Sequence, residues 1–216
     1  MPVITQLDMF KKYQVAFDAE NAPQGQIVFY GPSYFTRWGK DLTTPARWDH
    51  TPLRDVLLGK SGAPCCINRG FGGSCPEHQL YHYHDMIRPL APRVLVYGSW
   101  GNGPYFGYDD AESLLLAERV IAYARTDFPD MPIYLMGAPF TVAEADVPMA
   151  SRVAYSDRIR EIAEKTPNCH FFDPLQHKPL WDPTLFVEDG IHYNQKGYDV
   201  FADYFREILK DELAKF

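Results

Sequence analysis

Ile27-Val28-Phe29-Tyr30-Gly31-Pro32-Ser33 is an apolar run of strand length that stops at a glycine and a proline and then presents a serine. An unbroken apolar run suits a strand buried on both faces, and Gly-Pro marks the turn that ends it. With 26–31 as the first strand, four further runs share its character: 64–68, 93–98, 132–137 and 169–173. Between them the apolar period changes to three and four. Leu114, Ala117, Ile121, Ala124 and Phe128 show this spacing, as do Tyr155, Ile159 and Ile162, and then Phe201, Phe205, Ile208 and Leu209. An opening helix is expected over 3–18, and shorter ones over 50–58 and 76–86. Strands alternating with helices imply an α/β chain with a parallel sheet covered on both sides. Right-handed crossovers then gather the carboxyl ends of the strands on one edge, where such sheets bind ligands.

The 216 residues suit one domain over 1–216, with 46% hydrophobic and 23% charged residues as in an ordinary globular protein. A net charge of −7 argues against nucleic acid or an anionic membrane as partner. No apolar run reaches the ~20 residues of a membrane span. The opening Met1-Pro2-Val3-Ile4-Thr5-Gln6-Leu7-Asp8 lacks the basic-then-apolar pattern of a leader, so with Met1 as the native start a cytoplasmic location is expected. Cys65, Cys66, Cys75 and Cys169 show neither metal spacing nor a disulfide framework and read as small buried apolar residues. The sequence carries no reading of oligomeric state.

The chemistry-bearing segments fall on the one sheet edge. Ser33 follows the first strand, Asn68-Arg69-Gly70-Phe71-Gly72-Gly73-Ser74 the second, and Gly98-Ser99-Trp100-Gly101-Asn102-Gly103 the third. Asp189-Gly190-Ile191-His192 follows the last strand after a long loop. An Asp oxygen on one imidazole nitrogen would fix the tautomer and leave the other nitrogen to take a serine proton. Glycine N–H groups and the Asn102 carboxamide are candidate oxyanion donors. The G-x-S-x-G elbow is absent, since Tyr34 and Phe35 follow Ser33, which disfavours a standard α/β-hydrolase.

In this order the four blocks resemble the SGNH (GDSL-type) hydrolase family over about residues 20–205. The branch similar to platelet-activating-factor acetylhydrolase subunits and lysophospholipase-like esterases is nearest. The resemblance implies a three-layer α/β/α, flavodoxin-like fold with five parallel strands. It also implies Ser33 as nucleophile, His192 as base and Asp189 as its partner. Ser33 N–H, Gly73 N–H and the Asn102 side chain become the oxyanion donors, with Gly72 the alternative to Gly73. No metal or cofactor is required. Two positions depart from the family pattern: Pro32 stands where the serine block usually has Asp, and Gly103 where Asp often follows the asparagine.

Trp100, Tyr105, Phe106 and Tyr108 past the asparagine block, with Tyr34 and Phe35 after the serine, are candidate walls for an acyl pocket or a sugar ring. From these we name Tyr34, Trp100, Tyr105 and Phe106 as substrate-binding. His78, His82 and His84, with Glu77 and Asp85, include a single i,i+4 pair, and a polar surface helix accounts for them better than a metal site. The reading is a serine ester hydrolase for small-molecule substrates, short acyl esters of a carbohydrate or small alcohol. A lysophospholipase or thioesterase of the same chemistry is the alternative, as are a silent glycan- or acyl-binding protein and a structural scaffold.

Overall fold

β1 (Ile27–Gly31) takes the centre of the fold because its alternate side chains feed two different cores. Val28 and Tyr30 join the cluster on one face, and Ile27 and Phe29 the cluster on the other. In the computed structural model, which describes residues 3–43, 45–143 and 148–216, β1 pairs with β2 (Cys66–Gly70) and β3 (Val94–Gly98). β4 (Ile133–Met136) and β5 (Cys169–Phe172) complete a five-stranded, all-parallel sheet in the order β2-β1-β3-β4-β5. β3 repeats the alternation, with Leu95 and Tyr97 on one face and Val94 and Val96 on the other. A parallel strand needs such double burial because crossover helices lie on both sides of it.

The helices divide accordingly. α1 (Val3–Asp8), α2 (Lys11–Ala19), α3 (Ser33–Thr36), α4 (Leu53–Val56) and α5 (Pro76–Met86) precede the third crossover. α6 (Asp110–Asp127), α7 (Met149–Lys165), α8 (Gln195–Ile208) and α9 (Lys210–Leu213) follow. Buried residues of α2, α5, α6 and α7 (Phe17, Tyr83, Val120, Ile159) belong to the first core cluster. Phe35, Leu53, Phe201, Phe205 and Leu213, from α3, α4, α8 and α9, belong to the second. The result is the expected three-layer α/β/α sandwich. Its strand order reverses between β1 and β3, the place where doubly wound sheets open a crevice. None of the described helices is long and apolar enough to cross a membrane. Met1 and Pro2, where the leader reading begins, lie outside the described residues.

Four expectations need correction. The opening helix is two helices, broken at Met9–Phe10, because Phe10 turns inward to pack edge-on against Phe71 (5.4 Å) and His78 (4.5 Å). The 50–58 segment is helical only over Leu53–Val56, since Leu57 leaves the helix with ψ +87° to enter the core. The second strand starts at Cys66 rather than Pro64 and runs on through Asn68-Arg69 to Gly70, opposite Gly31. Pro64 has no N–H for a ladder and makes only an isolated bridge with Leu58. Finally, β5 is an edge strand and is only partly buried: Cys169 and Phe171 are half-buried against one core and Phe172 is buried in the other, while His170 is exposed.

Candidate active site

The chain leaves β1 through Pro32, whose carbonyl accepts the N–H groups of Phe35 and Thr36 and the Thr36 hydroxyl. These bonds build the single turn of α3 directly over the strand ends. The close approach is possible because β2 and β3 end in glycine. A Cβ on Gly70 would strike the Thr36 N–H and the Phe35 Cβ, and one on Gly98 the Tyr34 ring. Asn68 then clamps the turn by donating to Phe35 O at 2.7 Å and Trp38 O at 3.1 Å, and Tyr198 of α8 donates to Tyr34 O at 3.1 Å. Ser33, the first residue of α3, is therefore held by three elements. Its N–H, like others in a first helical turn, has no intrahelical acceptor.

His192 arrives from a loop with its own scaffold. Val187 N–H donates to His192 O at 2.9 Å, and Gly190 O accepts from Val142 and Ala143. Asp189 Oδ1 accepts the N–H groups of Ile191 and His192, each at 2.9 Å, which shapes the turn between acid and base. Asp189 Oδ2 lies 2.7 Å from His192 Nδ1, and His192 Nε2 lies 2.8 Å from Ser33 Oγ. Partial burial by itself pushes the Asp189 carboxyl up. The backbone N–H groups of His192 and Ile191, followed by the His192 ring, outweigh it and hold the carboxyl at about 2, so it is ionised at neutral pH. An ionised carboxylate on Nδ1 favours the tautomer whose Nε2 accepts a proton from the serine.

Asn102 caps the opposite wall. Its backbone is left-handed (φ +64°), and its Nδ2 donates to Ser74 O at 2.9 Å, tying the loop after β3 to the loop after β2. The amide carries a second hydrogen for another acceptor. Gly103, the departure from the family pattern, lies against α6, where a Cβ would meet Ser113 Oγ and require that hydroxyl to turn away. Gly73 sits in the 71–74 turn beside Phe10, and neither it nor Gly72 lines the cavity in front of Ser33.

That cavity, about 600 Å³, is bounded by Ser33, His192, Asn102 and the side chains of both neighbouring crossovers. Of the four residues named as substrate-binding, Tyr34, Trp100 and Tyr105 line it, and Tyr105 is 85% exposed at its mouth. Phe106 does not; it packs at 4.4 Å against the buried His78 ring. The sequence reading also missed Tyr155 and Arg152 of α7. Tyr155 meets the Trp100 ring at 4.8 Å, and the buried Arg152 guanidinium lies 5.4 Å over the same indole and donates to Thr141 Oγ1 at 3.0 Å. A helical three-residue spacing of Arg152 and Tyr155 was the available signal, but an Arg in a polar helix pattern reads as surface.

The histidine-rich helix also differs from expectation. His78 and His82 of α5 are buried, and His84 alone is exposed. Cys75, Glu77 and His78 bring three ligand-type atoms within 4.8 Å of one another. Cys75 N–H, however, donates to His78 Nδ1 at 3.1 Å, which occupies the lone pair a metal would need. The cluster is a helix cap. Burial, with the neighbouring His82 next, lowers the His78 imidazole to about 4 and keeps it neutral at pH 7. Cys65, Cys66 and Cys75 are buried as expected, whereas Cys169 is half-buried.

A family model described as "GDSL-like Lipase/Acylhydrolase family" matches residues 29–200. No curated protein matches the chain in sequence. Among solved structures, a Streptococcus pneumonia protein described provisionally as a platelet activating factor shares 19% identity over 96% of this chain and 94% of its own, with a TM-score of 0.74. A lipase/acylhydrolase from Enterococcus faecalis shares 16% over 88% of this chain and 97% of its own (TM-score 0.71). A catalytic mutant of an acetylxylan esterase from Geobacillus stearothermophilus shares 16% over 86% and 94% (TM-score 0.65). At these identities the structures establish the fold.

Proposed function

The chain belongs to the GDSL-like lipase/acylhydrolase family, and is an ester hydrolase on that ground; from this premise we propose that Ser33, His192 and Asp189 form the catalytic triad of a carboxylic ester hydrolase working through an acyl-enzyme. One observation carries the reading: Ser33 Oγ and His192 Nε2, 159 positions apart in sequence, lie 2.8 Å apart. Ser33 Oγ attacks the ester carbonyl carbon while His192 Nε2 takes its proton. The oxyanion so formed is met by the Ser33 N–H, the second hydrogen of Asn102 Nδ2 and, after adjustment of the 71–74 turn, the Gly73 N–H. His192 passes its proton to the departing alkoxide. Water then attacks the acyl carbon, again giving a proton to His192, and the acid leaves as Ser33 regains its hydrogen.

The substrate we propose is a short-chain, above all acetyl, ester of a carbohydrate or small alcohol. A 600 Å³ cavity far exceeds what an acetyl group fills. The excess fits the alcohol part, with Trp100 and Tyr105 offering flat faces to a sugar ring. A fluorophosphonate probe should label the chain and fail to label Ser33→Ala. Nitrophenyl esters from acetyl to long acyl should be hydrolysed fastest at the shortest length, and acetylated sugars should release acetate. A preference for long acyl groups would point to a lysophospholipase or thioesterase with the same triad. No labelling of folded wild-type protein would leave a silent ligand-binding protein and overturn the triad.

A further inference from the structure

We propose that Arg37 is a positioning residue for the acid–base pair: its guanidinium shares Asp189 Oδ2 with the His192 imidazole, fixes that oxygen in front of Nδ1, and limits how far the carboxylate favours the imidazolium. The consequence for rate rests on the triad reading above, whereas the coupling itself does not.

Ser33 and Arg37 are four residues apart, at the first residue and the C-cap of α3, so their side chains leave the same face of one turn. From that face Ser33 Oγ meets His192 Nε2 at 2.8 Å, and Arg37 Nη1 meets Asp189 Oδ2 at 3.3 Å. Asp189 Oδ1 is taken by two backbone N–H groups, which leaves Oδ2 to serve both the imidazole and the guanidinium. The guanidinium is also held from behind. Its Cζ lies 5.1 Å from the Trp48 ring, whose position is fixed in turn by Arg47 at 4.8 Å, and Arg47 pairs with Asp41. His50 Nδ1 lies 2.7 Å from Arg37 O, and the Lys40–Asp49 bridge brings this strap back to α3.

Among the described residues, the other titratable groups around the pair include Tyr198 of α8, beside both Arg37 and Asp189, and Tyr193, which feels Arg152 of α7. They also include His50, whose ring meets Tyr198 at 5.0 Å, and Arg47 on the Trp48 ring. Burial pushes both phenols up, so they stay neutral. Arg37 is therefore the cation, among those residues, that reaches the carboxylate. A positive charge there offsets part of the negative charge felt by the imidazole, and the basic form of His192 persists to lower pH. Between part-exposed charges the effect is roughly half a pH unit to one.

Titration of the His192 imidazole by NMR in the full chain tests this, with His192→Asn identifying its resonance. Arg37→Gln is expected to raise the His192 midpoint by roughly half a unit to one, and the acid limb of kcat/KM by the same amount. Arg37→Lys should restore most of the wild-type midpoint. Trp48→Leu keeps the charge but loosens it, and should move the midpoint in the same direction by less. An unchanged midpoint in folded Arg37→Gln overturns the proposal, as does one in Trp48→Leu should Arg37→Gln not fold. A shifted midpoint in a chain that takes no fluorophosphonate and hydrolyses no ester would keep the coupling and overturn the triad reading instead.

Discussion

Asn102 shows how much a single residue is asked to do. It sits between Gly101 (φ +103°) and Gly103 in a left-handed conformation that asparagine tolerates better than most side chains. One amide hydrogen binds Ser74 O, so the carboxamide is already oriented before substrate enters. Asn102→Ala should therefore lower kcat by roughly 10²–10³-fold with a much smaller change in KM, because the lost donor acts on the transition state. Steady-state kinetics on a nitrophenyl acetate would show it, and a wild-type kcat would remove Asn102 from the oxyanion site. At this scale the sequence was informative where chemistry is tied to a local turn. Gly-Pro-Ser and Asp-Gly-Ile-His announce both their residues and their backbone shape. Arg37 and Arg152 were not legible, because what makes each special is a distant partner: Asp189 for one, the Trp100 ring and Thr141 for the other.

Among the elements, the break between α1 and α2 has the clearest energetic cause. Continuing one helix through Phe10 would leave the ring without its contacts to Phe71 and His78, and Phe10 is 3% exposed as it stands. Burying an aromatic ring outweighs the few backbone hydrogen bonds lost at a helix break. Propensity patterns extend across such a position because they see spacing and not the ring's destination. The same blindness misplaced the start of β2, where the apolar run includes Pro64 but the ladder cannot. Phe10 also lies 3.7 Å from where a Gly73 Cβ would be, so it backs the turn that bears the candidate oxyanion glycine. Phe10→Ala is expected to cost about 3 kcal/mol of stability or more. Denaturant unfolding measures this directly. A loss under about 0.5 kcal/mol, the range of surface substitutions, would mean the ring is not a core residue.

Across the whole molecule, the layer order was legible because each strand is short and carries an apolar run and every crossover is helical, which leaves little choice for a parallel sheet. What lay beyond reach was the polar content of the interior, since two histidines in a charged-looking helix give no sign that they face inward. Their burial has a consequence for acid stability. The His78 imidazole falls from 6.5 to about 4, with burial as the main cause, so between those values the unfolded chain binds a proton that the native chain refuses. Stability then declines as pH drops from about 6.5 toward 4. Asp189, lowered from 3.8 to about 2 by its N–H partners against the opposing effect of burial, adds a second decline below pH 3.8. Its part-exposed position makes that second step the smaller one. In His78→Gln the amide oxygen can still accept the Cys75 N–H, yet nothing titrates there. The variant's Tm should therefore fall less steeply than wild type between pH 6.5 and 4 and in parallel with it below pH 3.8. Thermal unfolding followed by circular dichroism across both windows decides the matter. Equal slopes in the upper window would mean that the buried imidazole gains its proton without opening the core that holds α5 to α2.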